Sequence, residues 1–153
     1  MEITRPLPRE EYREHLDELG GQCAFCATPA ALNIREYPNW IFAYAAFPYR
    51  KYHTLLISKR HVVHFSELSP EELVELAKII QDIEELYKAS GVIGAQSDLG
   101  NQMYYSWRSR YKLDAEKKSV FHFHLHIYPE FSTNHDVVLE DDAWDIDMNR
   151  LKA

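Results

Sequence analysis

The stretch Ser119-Val120-Phe121-His122-Phe123-His124-Leu125-His126-Ile127-Tyr128-Pro129 decides how this protein is read. Side chains alternate across a β-strand. A strand here therefore puts His122, His124 and His126 on one face, and Phe121, Phe123, Leu125 and Ile127 on the other. The apolar face suits packing against a helix. The opposite face carries three imidazoles in a row, about 7 Å apart at strand rise. A single histidine in a strand is ordinarily a satisfied polar side chain. Three at period two are costly to bury without a ligand, because each neutral ring needs partners for both nitrogens. Two chemistries suit such a row. Two histidines of an H-x-H pair can ligate one metal ion. Alternatively, imidazole titrates near ~6.5 and offers an unprotonated nitrogen at neutral pH for attack on phosphorus. Flanking histidines could then neutralise phosphate oxygens and protonate the leaving group.

Working outward, residues 52–58 (YHTLLIS) form a second strand rich in β-branched and bulky side chains. Residues 40–46 read as another strand, ended by Pro48, with residues 34–37 before it and residues 101–107 as a further strand. Ser69-Pro70-Glu71-Glu72 is a helix start: Ser69 can cap, Pro70 suits the first turn and Glu72 completes a capping box. From there Leu73, Leu76, Ala77, Ile80, Ile83, Leu86 and Tyr87 recur at helical spacing until Ser90-Gly91. A short helix over residues 9–19 stops at Gly20-Gly21. One long helix and four or five strands too close for parallel crossovers predict an α+β domain with an antiparallel sheet, the helix covering one face.

The 153 residues fit a single domain, with a core over about residues 20–131 and an acidic tail over residues 132–153. An apolar fraction of 46% and an aromatic fraction of 13% point to a globular fold. The formal charge of −7, from 17 basic and 24 acidic residues, disfavours a broad nucleic-acid footprint and leaves room for a small phosphate ligand. Much of the acid lies in the long helix and in Glu140, Asp141, Asp142, Asp145 and Asp147, which read as a solvated face and a solvated tail. No apolar run suits a membrane span and residues 1–11 lack a signal-peptide core, so the expected compartment is the cytoplasm. A disulfide between Cys23 and Cys26 would close a tiny loop and gain little. In a cytosolic protein this C-x-x-C spacing is more often half a zinc site or a redox pair.

The pattern His-apolar-His-apolar-His-apolar-apolar resembles the signature of the histidine-triad (HIT) superfamily, and residues 119–129 fit it. Residues 52–62 (YHTLLISKRHV) resemble the family's second strand and following turn, and CAFC resembles the zinc-bearing start of many bacterial members. Residues 40–50 (WIFAYAAFPYR) are similar to the segment before that strand in the galactose-1-phosphate uridylyltransferase branch. The resemblance implies a nucleotidyl hydrolase or transferase with His124 as nucleophile and His126 against the phosphate or leaving group. It implies Ser119 as a donor to a phosphate oxygen and His53 as a support for the triad. It further implies a structural Zn2+ held by Cys23, Cys26, His61 and His122, and pairing as a twofold homodimer. The partner is then a small nucleotide, with no nucleic acid and no membrane.

Three features depart from the family pattern. Its ribose-binding Asp or Asn stands eight residues before the histidine of the second strand, where this sequence has Ala45. The short Gly-rich stretch before the serine is replaced by residues 108–118, with Arg108, Arg110, Lys112, Lys117 and Lys118, which read either as a solvated loop or as a lid for a polyphosphate or sugar phosphate. The third triad position is His126, where the uridylyltransferase branch has Gln, which favours hydrolysis. His15, His64 and His135 match no motif and read as surface residues.

Overall fold

A computed structural model of the protein describes residues 2–109, 122–131 and 139–152; Ser119, His135 and residues 110–118 of the basic segment lie outside them. The elements are α1 (Arg9–Leu19), β1 (Asn33–Glu36), β2 (Trp40–Tyr44), β3 (Thr54–Ser58), α2 (Pro70–Ala89), β4 (Gln102–Ser106), β5 (His124–Glu130) and α3 (Asn149–Lys152), with short 3-10 turns at Ala30–Leu32 and Phe65–Glu67. The sheet runs β1-β2-β3-β5-β4 and every pairing is antiparallel, as the short connections require. This is the α+β arrangement expected from the strand spacing.

α2 begins where its capping box predicts. The Glu72 N–H donates to Ser69 Oγ at 3.1 Å and the Ser69 N–H donates to Glu72 Oε1 at 2.9 Å. Its buried face is Leu76, Ile79, Ile83, Leu86 and Tyr87, with Glu72 at the start. Ile79 takes the place expected for Ala77, which is exposed. Its apolar side chains join Phe42, Tyr44, Leu56, Leu125 and Ile127 of the sheet, and Phe123 just before β5, in one core. The other face of β3 carries Leu55 and Ile57, directly opposite His126 and His124. With Ala45 and the half-buried Phe25 they form a smaller apolar cluster. The helix thus covers one face and leaves the other to the histidines.

Two expectations change. β5 begins at His124, so His122 and Phe123 precede it in a bend and His122 leaves the row. β5 also continues through Pro129 to Glu130. Beyond Ile127, where β3 ends, β4 alone pairs with it, and a proline is tolerated at such an edge.

The C-terminal residues are not a solvated tail. Ala143 and Leu151 are buried, the Tyr44 hydroxyl donates to the Met148 carbonyl at 2.9 Å, and the Leu151 N–H donates back to that hydroxyl at 3.3 Å. Arg150 Nε donates to the Ser90 carbonyl at 3.1 Å and its guanidinium lies 5.3 Å from the Tyr52 ring. The acidic composition hid a few apolar anchors among charges that face outward. Among the described residues no helix is long and apolar enough to cross a membrane.

Leu151 is 0% exposed. Leu151→Ala is expected to cost about 2–4 kcal/mol of unfolding free energy, measured by urea titration. A change near zero would return residues 139–152 to the status of a loose tail.

Candidate functional site

His124 and His126 project from the uncovered face of β5 with ring centroids 4.8 Å apart at 73°. Their tautomers follow from their partners. His124 Nδ1 lies 2.7 Å from the His122 carbonyl oxygen. A carbonyl only accepts, so in the neutral ring Nδ1 carries the proton and Nε2 is the unprotonated nitrogen. This is the form a nucleophilic imidazole needs.

The His126 tautomer is set at one remove. The Tyr49 N–H donates to His53 Nδ1 at 3.0 Å, which leaves the proton of the neutral His53 ring on Nε2. That Nε2–H faces His126 Nδ1 at 3.0 Å. His126 therefore accepts at Nδ1 and keeps its proton on Nε2. Burial holds the His53 imidazole well below its ordinary pKa, with the nearby His126 and His124 adding to the effect. His126 is pushed down to about 3, first by burial, then by His124 and by the Arg108 guanidinium. It can donate a hydrogen bond without carrying a positive charge. Arg108, the described start of the basic segment, is the residue that brings positive charge near it.

The backbone that presents His53 is held from two sides. Tyr52 has φ +63°, a left-handed conformation unusual for a bulky residue. Its carbonyl accepts from the Tyr87 hydroxyl of α2 at 2.6 Å, and its ring faces Arg150 of the C-terminal segment.

His122 turns to a second cluster. Its Nε2 donates to the Ser58 carbonyl at 2.5 Å, leaving Nδ1 as a lone pair. Nδ1 lies 3.4 Å from Cys23 Sγ, 3.6 Å from Cys26 Sγ and 3.1 Å from His61 Nδ1, and His61 Nδ1 lies 3.1 Å from Cys26 Sγ. All four donor atoms fall within 4.8 Å of one another, and both cysteines are free thiols. A tetrahedron with metal–nitrogen bonds near 2.0 Å has edges of about 3.3 Å between nitrogens, which the spacing matches. Burial, then the neighbouring Cys23, push the Cys26 thiol up. Two thiols beside two imidazole nitrogens form a donor set suited to a divalent cation such as Zn2+. His61 is thus part of the cluster rather than an ordinary surface residue. His122 belongs to this cluster, and His124 and His126 stand outside it.

Several contacts were not legible in the motifs. Phe25, between the two cysteines, meets the His124 ring edge-on at 4.6 Å, so the cysteine loop touches His124. Tyr49 stacks on His126 at 5.5 Å and 24°. Its place next to the turn before His53 was the available signal. Ala45, at the position where the family carries an acid or amide, is buried among Leu55, Ile57 and Phe25. His15 and His64 are half-buried rather than plainly superficial.

Residues 31–133 match the HIT domain family. An uncharacterised HIT-like protein of Mycobacterium tuberculosis is 30% identical over 111 residues, covering 70% of each protein. A Zn-bound histidine triad family protein from Mycobacterium smegmatis superposes with a TM-score of 0.62 at 25% identity, covering 86% of this protein and 91% of that one. A HIT family hydrolase from Legionella pneumophila superposes at 0.54 with 20% identity, covering 76% and 99%. A five-stranded sheet that bares two tautomer-fixed histidines beside a Cys2His2 cluster is the architecture of a histidine-triad protein. The chain belongs to the HIT domain family.

The neutral histidines set the response to acid. In the unfolded protein His126 titrates near its ordinary value of 6.5, and in the folded protein at about 3. Between those values the unfolded state binds more protons. Its contribution to stability is therefore complete above about pH 6.5 and is lost as pH falls toward 3, with His53 acting in the same direction. The slope is up to about 1.4 kcal/mol per pH unit for each such histidine. Urea titrations at several pH values should show a flatter slope in His126→Gln. An equal slope in both proteins would mean that His126 is charged in the folded state.

Proposed function

We propose that this protein is a nucleotidyl hydrolase working through a covalent nucleotidyl-histidine intermediate on a nucleoside phosphoramidate, dinucleoside polyphosphate or related nucleotide. The observation that carries the reading is the His124 Nδ1–carbonyl contact, which leaves Nε2 as the unprotonated nitrogen of the neutral ring, the one able to attack. Attack forms a P–N bond at the α-phosphorus and breaks the bond to the leaving group, which takes its proton from solvent. The His124 imidazole gains positive charge, and the His122 carbonyl accepts a stronger hydrogen bond from its Nδ1–H. Water then forms a new P–O bond at the same phosphorus as the P–N bond breaks. The nucleoside monophosphate leaves and His124 is restored.

In this reading His126 Nε2–H hydrogen-bonds the phosphate or leaving group, and His53 holds His126 in that tautomer. Ser119, outside the described residues, is the expected donor to a phosphate oxygen. Cys23, Cys26, His61 and His122 would hold Zn2+ as a closed four-donor site. Bound there, the ion supplies a structural cross-link between the N-terminal loop and the residues just before β5. Zinc-binding thiolates suit a reducing compartment, in line with the cytoplasm. Pairing as a twofold dimer would extend the sheet at an edge strand, β1 or β4, and sedimentation in solution tests it.

The test is to incubate the protein with a panel of nucleotides and trap an acid-labile phosphohistidine, mapped by mass spectrometry. The adduct is expected on His124, and His124→Ala should lose at least about 10³-fold in turnover. Turnover that persists in His124→Ala without an adduct would sink the covalent route. Binding without turnover would favour a non-catalytic module, and a chase that puts the nucleotide on a sugar phosphate would favour transfer.

Metal removal gives a separate prediction. Elemental analysis should find one zinc per protein molecule, and a chelator should lower the melting temperature together with activity. Activity lost at an unchanged melting temperature would point instead to an ion that takes part in the chemistry.

A further inference from the structure

The turn over residues 49–52 does not satisfy its own backbone. The Tyr49 N–H is taken by the His53 ring, and the Tyr49 carbonyl accepts from the Glu140 N–H at 2.8 Å. The Arg50 carbonyl accepts from the His53 N–H at 3.1 Å. The Lys51 N–H donates to Glu140 Oε2 at 3.1 Å. The other carboxylate oxygen of Glu140 lies 4.0 Å from Nη1 of the buried Arg50, whose guanidinium stands 5.9 Å from the Tyr128 ring on β5. One residue of the acidic C-terminal run thus grips the turn through its backbone and both oxygens of its side chain.

We propose that Glu140 is a positioning residue for the His53–His126 pair, acting through this turn; the proposal rests on the hydrolase reading for its kinetic consequence. The link is the Tyr49 peptide. Its N–H keeps a proton off His53 Nδ1, so that His53 Nε2–H can face His126 Nδ1 and leave the His126 proton on Nε2. When the turn shifts, His53 Nδ1 loses its donor and can take the ring proton itself. His126 Nδ1 then loses its donor in turn. The same turn carries the Tyr49 ring that stacks on His126. The plain alternative is an exposed ion pair that merely tacks down the C-terminal segment. With the Glu140 side chain 40% exposed, charge attraction to Arg50 alone is weak. The directed bonds to the peptide groups at positions 49 and 51 are what set the geometry.

The experiment uses the full-length protein with 15N-labelled histidine. In the wild-type protein, His53 and His126 should each show one unprotonated Nδ1 and one protonated Nε2. In Glu140→Ala these shifts should move toward tautomer averaging, and kcat should fall roughly tenfold with KM within about twofold. Glu140→Gln, which keeps an oxygen for the Lys51 N–H, should restore most of both readouts. Asp142→Ala removes the neighbouring ion pair with Lys51, which spans 3.4 Å, and should change neither. If Glu140→Ala loses its fold, Glu140→Asp should read the same shifts at smaller amplitude. Wild-type tautomers in a folded Glu140→Ala protein would overturn the proposal, as would an equal effect from Asp142→Ala. If the wild-type protein turns over no nucleotide, the hydrolase reading fails and the imidazole spectrum still decides the role of Glu140.

Discussion

His122 is tied at three points, and the rest of the site depends on this. Its Nε2 is held by the Ser58 carbonyl, its Nδ1 is turned to Cys23, Cys26 and His61, and its own carbonyl accepts from His124 Nδ1. The side chain belongs to the metal-type cluster and the backbone carbonyl belongs to His124. Any shift of the cluster is therefore a shift of the group that fixes the His124 tautomer. Phe25 couples the two a second time, because it lies between the cysteines and against the His124 ring. The cluster and the exposed histidines are neighbours in structure because they share a peptide unit, and the bend before β5 sends their side chains to different tasks.

On the other side of His124 the same economy is carried by neutral imidazoles. A charged His53, fully enclosed and facing His126, would face a large desolvation cost and a like charge. Neutrality turns the pair into a directional relay of hydrogen bonds that begins at the Tyr49 peptide. His53 uses both ring nitrogens: Nδ1 accepts from the Tyr49 N–H and Nε2–H orients His126. A left-handed Tyr52, anchored by Tyr87 and Arg150, supplies the backbone path that lets His53 enter the relay.

Much of the scaffold was legible because it follows local rules. Alternation at 123–127 separated the core face from the histidine face, and Ser69 with Glu72 located the start of α2 to the residue. Cys23, Cys26, His61 and His122 could be grouped through family likeness, since nothing in their spacing alone brings position 23 to position 122. The histidine row was partly misread because period two says which residues share a face only where the strand exists, and β5 starts two residues after His122. The relay through Tyr49 was invisible for a different reason: its first member is a backbone N–H, which every residue except proline has. The C-terminal docking was masked by composition, since two buried side chains, Ala143 and Leu151, outweigh a run of acids that can stay in water.

The ties that complete this molecule span most of its length. Cys23 meets His122 across 99 positions, Tyr44 meets Met148 across 104, and Lys51 meets Glu140 across 89. Such distant pairings form late, because loop closure must be met before they return anything. During synthesis β1, β2, β3 and α2 emerge and can associate while the histidine strand and the C-terminal clamp are still unmade. A nascent or truncated polypeptide ending before residue 139 would carry His53 on a turn with no Glu140 to hold it. The site is thus completed by residues made after most of the sheet, and its histidines reach their final arrangement only when those residues arrive.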